Sequence, residues 1–406
     1  MKTSAFLSAA AMALLFLSVS CNGGKDGTAE TPVGILDIEN AVTENLTALN
    51  LSRYASSIKY IPLETGDGFP VGDIKFFKSD GKNFYLSSIL DNNIKIFSSA
   101  GKYVRTIERQ GRGPGEYLGV NGFFIYADAG KTGIGVIDIY DKVQVYDSAG
   151  VFVRTLPEAN HMEYIGSGRY IGITDEYDNE TELSIEKLFV TDTAGSKLYQ
   201  SDLWDIYERP VDAAPFGGEI TLMKYGALYT VAGSIRIADS SMDTIYTVDE
   251  DFTLTLEYVF DYGKYMDMKE KAYNMSDIIH TDTKKIMETD PFLLFRLDLP
   301  KKPFKMYKSS DKLFPRYVTA VFVYDKAEKK LCALRQDRDM SIGFTNDLDG
   351  GGTFSPMYVA CDKMYEIVDA IAFMERAEAS GSAEMKQVAA QLTENSNPVI
   401  VEVTLK

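Results

Sequence analysis

The stretches NNIKIFSSAGKYVRTI (residues 92–107) and DKVQVYDSAGVFVRTL (residues 141–156) are identical at six of sixteen positions without a gap, at an offset of 49 residues. Each consists of an alternating apolar segment, a tight turn and a second alternating segment, which is the pattern of a β-hairpin. The pattern recurs at residues 187–199, 243–256 and 319–334. This repeat predicts that the chain is built from copies of one supersecondary unit.

A further pair of apolar segments precedes each of the first two hairpins, at residues 73–88 and 122–138. Four strands per unit and a period of about 50 residues describe one blade of a β-propeller. No helical pattern lies between these strands, which argues against a parallel α/β fold. Two helical insertions take up about 55 of the residues 34–406, and the rest accommodates about six blades. The predicted fold is therefore all-β, a single six-bladed propeller with four-stranded blades over residues 34–406.

The two ends of the folded region predict how the ring closes. Residues 57–65 alternate like a strand but contain Pro62, which cannot donate to a strand ladder and therefore belongs on a sheet edge. Residues 398–406 alternate strictly at the other end of the chain. We expect the N- and C-terminal strands to complete one blade between them.

The N-terminus predicts export. Residues 1–20 combine Lys2 with an uncharged run that is too short to remain as a membrane-spanning helix. Cys21 follows small residues, the setting in which bacterial lipoprotein signals are cleaved and the cysteine is acylated. Ser18 departs from the larger aliphatic residue usual at its position, so plain secretory cleavage is the alternative. With a polar tether over residues 21–33, these features predict an outer-membrane lipoprotein of the cell envelope, facing the periplasm or the surface.

Composition limits the chemistry that the protein can perform. The net charge of −17 excludes nucleic acid as a partner, because clustered Lys and Arg are absent. Two histidines, His161 and His280, are too few for a metal-dependent lyase and are predicted to be ordinary surface or capping residues. Cys332 and Cys361 lie in apolar runs and are predicted to be buried thiols, with a disulfide as the alternative. Trp204 is the single tryptophan, which weakens a glycan-stacking interpretation.

The heptapeptide GRGPGEY at residues 111–117 follows one hairpin and precedes the next unit. Its glycines and proline favour a sharp corner between blades. A phosphate-binding loop would need a following helix, and none is indicated. Glu116 is expected to pair with backbone amides or with Arg112, and Tyr117 to wedge between blades. The alternative is a ligand-facing loop in which Arg112 and Glu116 contact the ligand.

The loop TNDLDGGGTFSP, residues 345–356, gathers three oxygen-bearing side chains, those of Asn346, Asp347 and Asp349. Hard oxygen ligands at this density predict a calcium site. The loop lacks the distal glutamate of an EF-hand, and Asp before Gly is also ordinary turn chemistry. Both interpretations remain open.

Two stretches, residues 264–290 and 364–394, are predicted to be small helical insertions because apolar residues recur at helical spacing. The recurring residues are Met268, Ala272, Met275 and Ile279 in the first stretch, and Met364, Ile367, Ile371, Met374, Met385, Val388, Ala389 and Leu392 in the second. We expect both stripes to pack on the propeller itself. A methionine-rich face for a partner protein is the alternative.

The segments ERQGRGPGEY, YIPLET, VFVYDK, NDLDGG and NPVIVEVTLK resemble the six-bladed β-propeller lipoproteins of gut-type Gram-negative anaerobes, which are NHL- and TolB-like. The resemblance covers about Leu51 to Lys406 and implies fold, anchor and envelope location, but no reaction. We therefore expect a monomeric, non-catalytic binding or scaffold module for an envelope protein or a glycan. The alternative is a metal-assisted hydrolase or lyase that uses channel carboxylates on an extracytoplasmic saccharide or peptide.

Overall fold

The structure, a computed structural model, describes residues 33–89, 91–128, 130–179, 183–206, 208–212, 219–223, 225–270, 279, 286–308 and 317–406. The predicted signal peptide, Cys21, most of the tether and His280 lie outside these residues. The described chain forms six four-stranded antiparallel sheets arranged in a ring, which confirms the predicted six-bladed β-propeller.

The first three blades follow the predicted repeat. Blade 1 contains β4 (Ile74–Ser79), β5 (Asn83–Ser88), β6 (Ile94–Ser98) and β7 (Tyr103–Ile107). Blade 2 contains β8 (Val120–Asp128), β9 (Lys131–Asp138), β10 (Val143–Asp147) and β11 (Phe152–Leu156). Blade 3 contains β12 (His161–Gly166), β13 (Arg169–Asp178), β14 (Leu183–Asp192) and β15 (Lys197–Ile206). The predicted hairpins are the third and fourth strands of these blades, and a β-bulge recurs at equivalent positions in blades 1 and 2.

The remaining blades carry the insertions. Blade 4 contains β18 (Gly226–Val231), β19 (Ser234–Asp239), β20 (Thr244–Val248) and β21 (Leu254–Asp261). Blade 5 contains β22 (Met287–Glu288), β23 (Phe292–Pro300), β24 (Tyr317–Asp325) and β25 (Lys330–Leu334). Blade 6 contains β26 (Tyr358–Ala360), β27 (Lys363–Val368), β28 (Val399–Leu405) and β3 (Ala55–Pro62). A separate hairpin of β16 (Glu208–Asp212) and β17 (Glu219–Met223) precedes blade 4 and was not predicted.

Both ends of the folded chain meet in blade 6, as the sequence predicts. The C-terminal β28 lies between β27 and the N-terminal β3. Pro62 is opposite Val399 on the outer edge strand. At this edge the missing N–H of proline costs no hydrogen bond between strands. The closure therefore joins two segments from opposite ends of the chain, and neither is stable as a sheet without the other.

The N-terminal segment before β3 runs along the outside of the ring. The sequence did not reveal this path. β1 (Gly34–Asp37) adds in parallel to the outer strand of blade 4, and β2 (Leu46–Thr47) adds in parallel to the outer strand of blade 5. Between them α1 (Ile38–Thr43) is N-capped by Asp37, whose side chain accepts from the N–H of Asn40. A 3-10 turn, Leu51–Arg53, leads into β3. These segments cover two sheet edges that would otherwise be exposed.

Six hydrophobic clusters form the core, one at each seam between neighbouring blades. The seam between blades 1 and 2, for example, joins Ile96 and Ile107 of blade 1 to Tyr117, Ile134 and Tyr146 of blade 2. The other five clusters join their blade pairs in the same way. Every blade thus depends on its two neighbours to keep its apolar faces from water.

The helical predictions are partly wrong. In the first insertion, a 3-10 turn (Gly263–Tyr265) and α2 (Met266–Glu270) are helical, and most of the remainder lies outside the described residues. In the second, Met364 and Ile367 belong to strand β27, because this alternating segment is the central partner of the closing strand. Helices begin later, as α3 (Ala370–Ala379) and α4 (Ala383–Ala389), which pack on the seam between blades 5 and 6.

The cysteine prediction needs one correction. Both Cys332 and Cys361 are free thiols. Cys332 is part-buried in β25, but Cys361 is exposed. It lies in the tight turn between β26 and β27 with a φ of 51°, and a turn of this kind places the side chain at the surface.

Candidate functional site

The GRGPGEY segment connects the outer strand of blade 1 to the inner strand of blade 2. The Glu116 carboxylate accepts a hydrogen bond from the Gly113 N–H at 2.7 Å. A Cβ on Gly111 would lie 2.0 Å from Glu116 Oε2, so this position must be glycine for the carboxylate to fold inward. Gly115 has a φ of 72° and packs against Phe152. Arg112 is exposed, and ligand binding by Arg112 and Glu116 stays a prediction.

Tyr117 anchors this corner in the seam between blades 1 and 2. Its side chain is fully buried, and its hydroxyl donates to the Ile107 carbonyl at 3.2 Å. Its ring meets the edge of Tyr146 at 6.1 Å, and the Tyr146 hydroxyl donates to the Gly115 carbonyl at 2.9 Å. Burial raises the pKa of Tyr117 to about 12. These contacts give the segment the structure of a corner.

In the 345–356 loop, Asn346 and Asp349 contact each other, whereas Asp347 is engaged elsewhere. Asp347 accepts hydrogen bonds from the backbone and side chain of Ser52, at 2.9 and 2.5 Å. Asp349 accepts from the hydroxyls of Tyr60 and Ser382, at 3.0 and 2.5 Å, and from Asn346 Nδ2 at 2.7 Å. The loop thereby ties the closing strand β3 to the cap of α4.

Lys78 and Glu163 form an ion pair across the central channel. They belong to the inner strands of blades 1 and 3, and blade 2 lies between these blades in the ring. Burial by itself would raise the pKa of Glu163, but the charge of Lys78 and the hydrogen bonds from His161 and Lys78 outweigh burial and lower it. An ionic contact therefore joins two blades that are not neighbours.

His161 extends this contact to blade 4. It is the first residue of β12, and its Nδ1 accepts the Leu228 N–H at 3.2 Å. The neutral ring then carries its proton on Nε2, which lies 3.7 Å from Glu163 Oε1. The histidine, predicted to be an ordinary surface or capping residue, thus helps to line the channel.

A second buried carboxylate, Glu288, joins blades 4 and 5. Its oxygens accept from the hydroxyls of Tyr229 and Tyr258, at 2.9 and 3.0 Å, and pair with Lys326 Nζ at 2.8 Å and Arg236 Nε at 3.4 Å. Burial is the main reason why the pKa of both tyrosines is raised. With two cations and two hydroxyl donors, Glu288 is fully partnered and acts as a seam contact.

Glu186 is the buried carboxylate of the seam between blades 3 and 4. Both of its oxygens accept from the Gly226 N–H, at 3.0 and 2.8 Å. Burial raises the pKa of Glu186 to about 7, against the hydrogen bonds from Gly226 and Trp204, and the charges of Asp175 and Asp239 add to the rise. Trp204 lies in this seam, 3.1 Å from the position of a Cβ on Gly226.

Six of the fifteen large apolar side chains that are exposed in the described chain lie at one end of the ring. Because the strands alternate in direction, this end carries the loops between second and third strands and the crossings between blades, and we call it the loop face. Exposed apolar side chains there are Ile89 (60 %), Ile139 (55 %), Tyr140 (67 %), Tyr177 (57 %), Tyr225 (41 %) and Ile371 (48 %). A Cβ on Gly119 would lie 3.2 Å from Ile139 and 3.1 Å from Asn92, so the loops of blades 1 and 2 meet here.

Among the described residues, no group of three or more His, Cys, Asp or Glu side chains is placed to hold a metal ion. Within the same residues, no helix has the length and apolar character needed to span a bilayer.

The sequence did not reveal the channel residues Lys78 and Glu163 or the role of His161. The available signal was the placement of a charged residue within an otherwise apolar inner strand, as in KFFKS (residues 75–79) and HMEYIG (residues 161–166). An alternating pattern does not reveal that two such side chains meet, because they come from different blades.

The ring of six blades and its closure by both termini define the protein as a six-bladed β-propeller. The chain belongs to the domain family of unknown function DUF4934, whose family model matches residues 33–404. No match to the sequence occurs among proteins with curated descriptions.

Two solved structures from Bacteroides match most of the chain. A protein of Bacteroides fragilis described as exported has a TM-score of 0.63 and 16 % identity, with 92 % of this chain and 100 % of that chain covered. A DUF4221-family member from Bacteroides vulgatus has a TM-score of 0.44 and 10 % identity, with 87 % and 97 % covered. At these identities the first similarity concerns the fold alone.

Proposed function

We propose that this protein is a lipid-anchored envelope propeller that binds a protein partner through its loop face and catalyses no reaction. The observation that carries the proposal is the set of six exposed Ile and Tyr side chains that five blades contribute to one end of the ring. Exposed apolar surface on a folded protein can mark interaction sites, and tyrosine is enriched in interfaces. The isoleucines of the loop face are better suited to contact with a protein than to contact with a sugar ring.

A glycan is the second candidate ligand, and fewer features of the structure support it. Sugar rings stack on flat aromatic platforms, for which tryptophan is the preferred side chain. Trp204 is part-buried in the hydrophobic cluster between blades 3 and 4. Tyr140, Tyr177 and Tyr225 could stack on a glycan, but they belong to three different blades.

Anchoring through Cys21 rests on the sequence and on the resemblance to NHL- and TolB-like propeller lipoproteins. The description of the B. fragilis relative as exported supports the same compartment. Replacement of Cys21 by serine should release the protein from the membrane fraction and remove the acyl mass from its N-terminal peptide. A protein that stays in the membrane fraction with Cys21→Ser would contradict lipid anchoring.

Photocrosslinking tests the loop-face partner. A photoreactive phenylalanine at Tyr140, on the loop face, should give a discrete protein adduct in cells of the native host. The same residue at Val153, exposed on the outer strand of blade 2, is the matched control and should give none. Adducts of equal yield at both positions, or none at Tyr140, would refute the proposal. An adduct that is lost after glycosidase treatment would support the glycan instead.

The alternative function is a metal-assisted hydrolase or lyase. It requires carboxylates that converge in the channel, and Glu163 is already engaged by Lys78 and His161. Elemental analysis of the purified protein separates the two functions. A stoichiometric divalent metal that is lost with Glu163→Gln would favour the enzyme over the binding module.

A further inference from the structure

A cavity of about 220 Å³ lies in the seam between blades 1 and 2. Strands β5, β6 and β7 border it on one side, and β9 with the turn after β10 borders it on the other. Its polar lining consists of Asn83, Arg105, Asp147 and Ser148. Pockets for drug-sized ligands measure about 300–1,000 Å³, so this cavity fits a ligand smaller than a typical drug molecule.

The internal repeat shows what this position does elsewhere in the ring. Arg154 of blade 2 is the repeat equivalent of Arg105, at the offset of 49 residues. Arg154 Nη1 donates to the Thr193 carbonyl at 3.1 Å, in the turn of the next blade. One seam further, the equivalent Tyr199 packs on Phe252 of the next turn, with ring centroids 5.2 Å apart. In both seams this side chain closes the gap to the neighbouring turn.

The turn opposite Arg105 has the same construction as the turn opposite Arg154. Asp147 Oδ1 accepts from the N–H groups of Ala149 and Val151, both at 2.9 Å. Asp192 Oδ1 accepts from the equivalent N–H groups in blade 3, at 2.8 and 2.9 Å. Gly150 and Gly195 have φ values of 79° and 82°. The turn geometry therefore does not explain why Arg105 lacks the contact that Arg154 makes.

Arg105 does not make the contact that its repeat equivalent makes. Its backbone pairs with Ile96 in the sheet, but its side chain makes no hydrogen bond or ion pair with any described residue and lines the cavity. A guanidinium offers planar, paired N–H donors that match the two oxygens of a carboxylate. Arg105 is thus available to a ligand, whereas Arg154 is used by the fold. In this seam the contact to the neighbouring turn is made by Arg109, whose Nε donates to the Gly150 carbonyl at 3.2 Å.

The other lining groups define the chemical class of the ligand. Asp147 supplies a carboxylate, and its Oδ2 is not used by the turn, which occupies Oδ1. Asn83 and Ser148 add an amide and a hydroxyl. Ile96, Ile107 and Ile134 form an apolar wall. One cationic group, one anionic group and an apolar wall fit a small zwitterion with an aliphatic side chain.

We propose that this cavity binds a free aliphatic α-amino acid. Arg105 binds the carboxylate, Asp147 binds the ammonium group, and the isoleucines contact the side chain. The bordering turn lies at the end of the ring opposite the loop face, so this site is separate from the partner surface proposed above. The two sites can fail or succeed independently.

Calorimetric titration of the full mature protein with L-leucine tests the site. We expect a Kd of about 1 mM or tighter. Isocaproate lacks the ammonium group of leucine, and isopentylamine lacks its carboxylate. Each compound should bind at least about tenfold more weakly than leucine, because each loses one charge-assisted hydrogen bond. Isocaproate binding as tight as that of leucine would overturn the assignment of Asp147.

Two variants and one control locate the binding. Arg105→Gln should weaken leucine binding at least about tenfold, and Ser148→Phe should abolish it by filling the cavity from an exposed turn. Arg154→Gln, the repeat equivalent, should lower the melting temperature but leave the Kd unchanged. The proposal is overturned if wild type shows no heat of binding, or if Arg105→Gln binds leucine as tightly as wild type does.

Discussion

Lys78 and Glu163 lie 85 residues apart in the chain and in blades that are not neighbours, yet their side chains form an ion pair in the central channel. The pair connects blades 1 and 3, the two neighbours of blade 2, directly to each other. His161 then connects Glu163 to the backbone of blade 4. Three of the six blades are thereby joined by polar contacts within the channel, in addition to the apolar seams that join each blade to its neighbours.

Lys78→Met should destabilise the protein in a pH-dependent way. The substitution leaves Glu163 buried without its main cation, at a cost of about 1–3 kcal/mol at pH 7. The pKa of Glu163 is lowered in the folded state, so its contribution is present at neutral pH and is lost as pH falls through that lowered pKa. Urea denaturation at pH 7 and in acid should therefore show a smaller difference between variant and wild type in acid. An equal difference at both pH values would contradict the ionic role.

Glu186→Gln should stabilise the protein above neutral pH. The pKa of Glu186 is raised to about 7, so the folded state holds this proton more tightly, and stability falls as pH rises from about 4.5 to about 7. Glutamine keeps an acceptor for the Gly226 N–H and has no charge to bury. The advantage of the variant should grow by up to about 1.4 kcal/mol per pH unit in this window.

Glu176→Gln is the matched control for that experiment. Glu176 belongs to the same blade but is exposed, and the hydrogen bond and charge of Lys187 lower its pKa. Its substitution should give no advantage that increases with pH. Chemical denaturation of both variants from pH 5 to pH 8 makes the comparison. A pH-independent effect of Glu186→Gln would show that this carboxylate titrates at its ordinary value.

Gly115→Ala should destabilise the protein more than Gly130→Ala. Both glycines have positive φ, 72° and 77°, so both substitutions incur the same backbone strain of about 1–2 kcal/mol. A Cβ on Gly115 would lie 2.5 Å from the Phe152 ring, whereas a Cβ on Gly130 meets nothing within 4 Å. Thermal denaturation should give the lower melting temperature for Gly115→Ala. Equal melting temperatures would mean that Phe152 moves aside freely.

Val403→Asp should disrupt the closure of the ring, and Thr404→Asp should not. Val403 is fully buried in β28 opposite Ile58 of the N-terminal strand, while Thr404 is part-exposed. A buried, unpaired carboxylate costs about 3–5 kcal/mol. Denaturation should show this loss for Val403→Asp alone. Comparable stability of the two variants would indicate that closure by β28 and β3 contributes little.

Asp349 tests the predicted calcium site. If Asn346, Asp347 and Asp349 bind calcium, millimolar calcium chloride should raise the melting temperature of the wild type, and Asp349→Ala should abolish the rise. Without calcium, Asp349→Ala should still lower the melting temperature, because Tyr60 and Ser382 lose their acceptor. A wild-type melting temperature that does not respond to calcium would end the prediction, and the structural effect would remain.

The fold was predictable because its determinants are local. The alternation of strands, the turn glycines Gly101 and Gly150 and the 49-residue offset can be read from the chain directly. Pro62 marked the edge strand for the same reason, since a missing N–H excludes a central position. The helix predicted at Met364 and Ile367 was wrong, because a short segment with strand-like alternation can also match the spacing of a helical stripe.

The amino-acid order alone therefore defines the blade, the number of blades and the closing strands, since each follows from period, turn and edge chemistry within a short segment. It does not define which side chains meet in the channel or which seam holds the cavity. Those depend on how whole blades are placed around the ring, and so Lys78 reaches Glu163 while Arg105, unlike its repeat equivalent Arg154, faces a cavity. Equivalent residues of the repeat can therefore make different contacts, because the neighbouring blade supplies half of every contact.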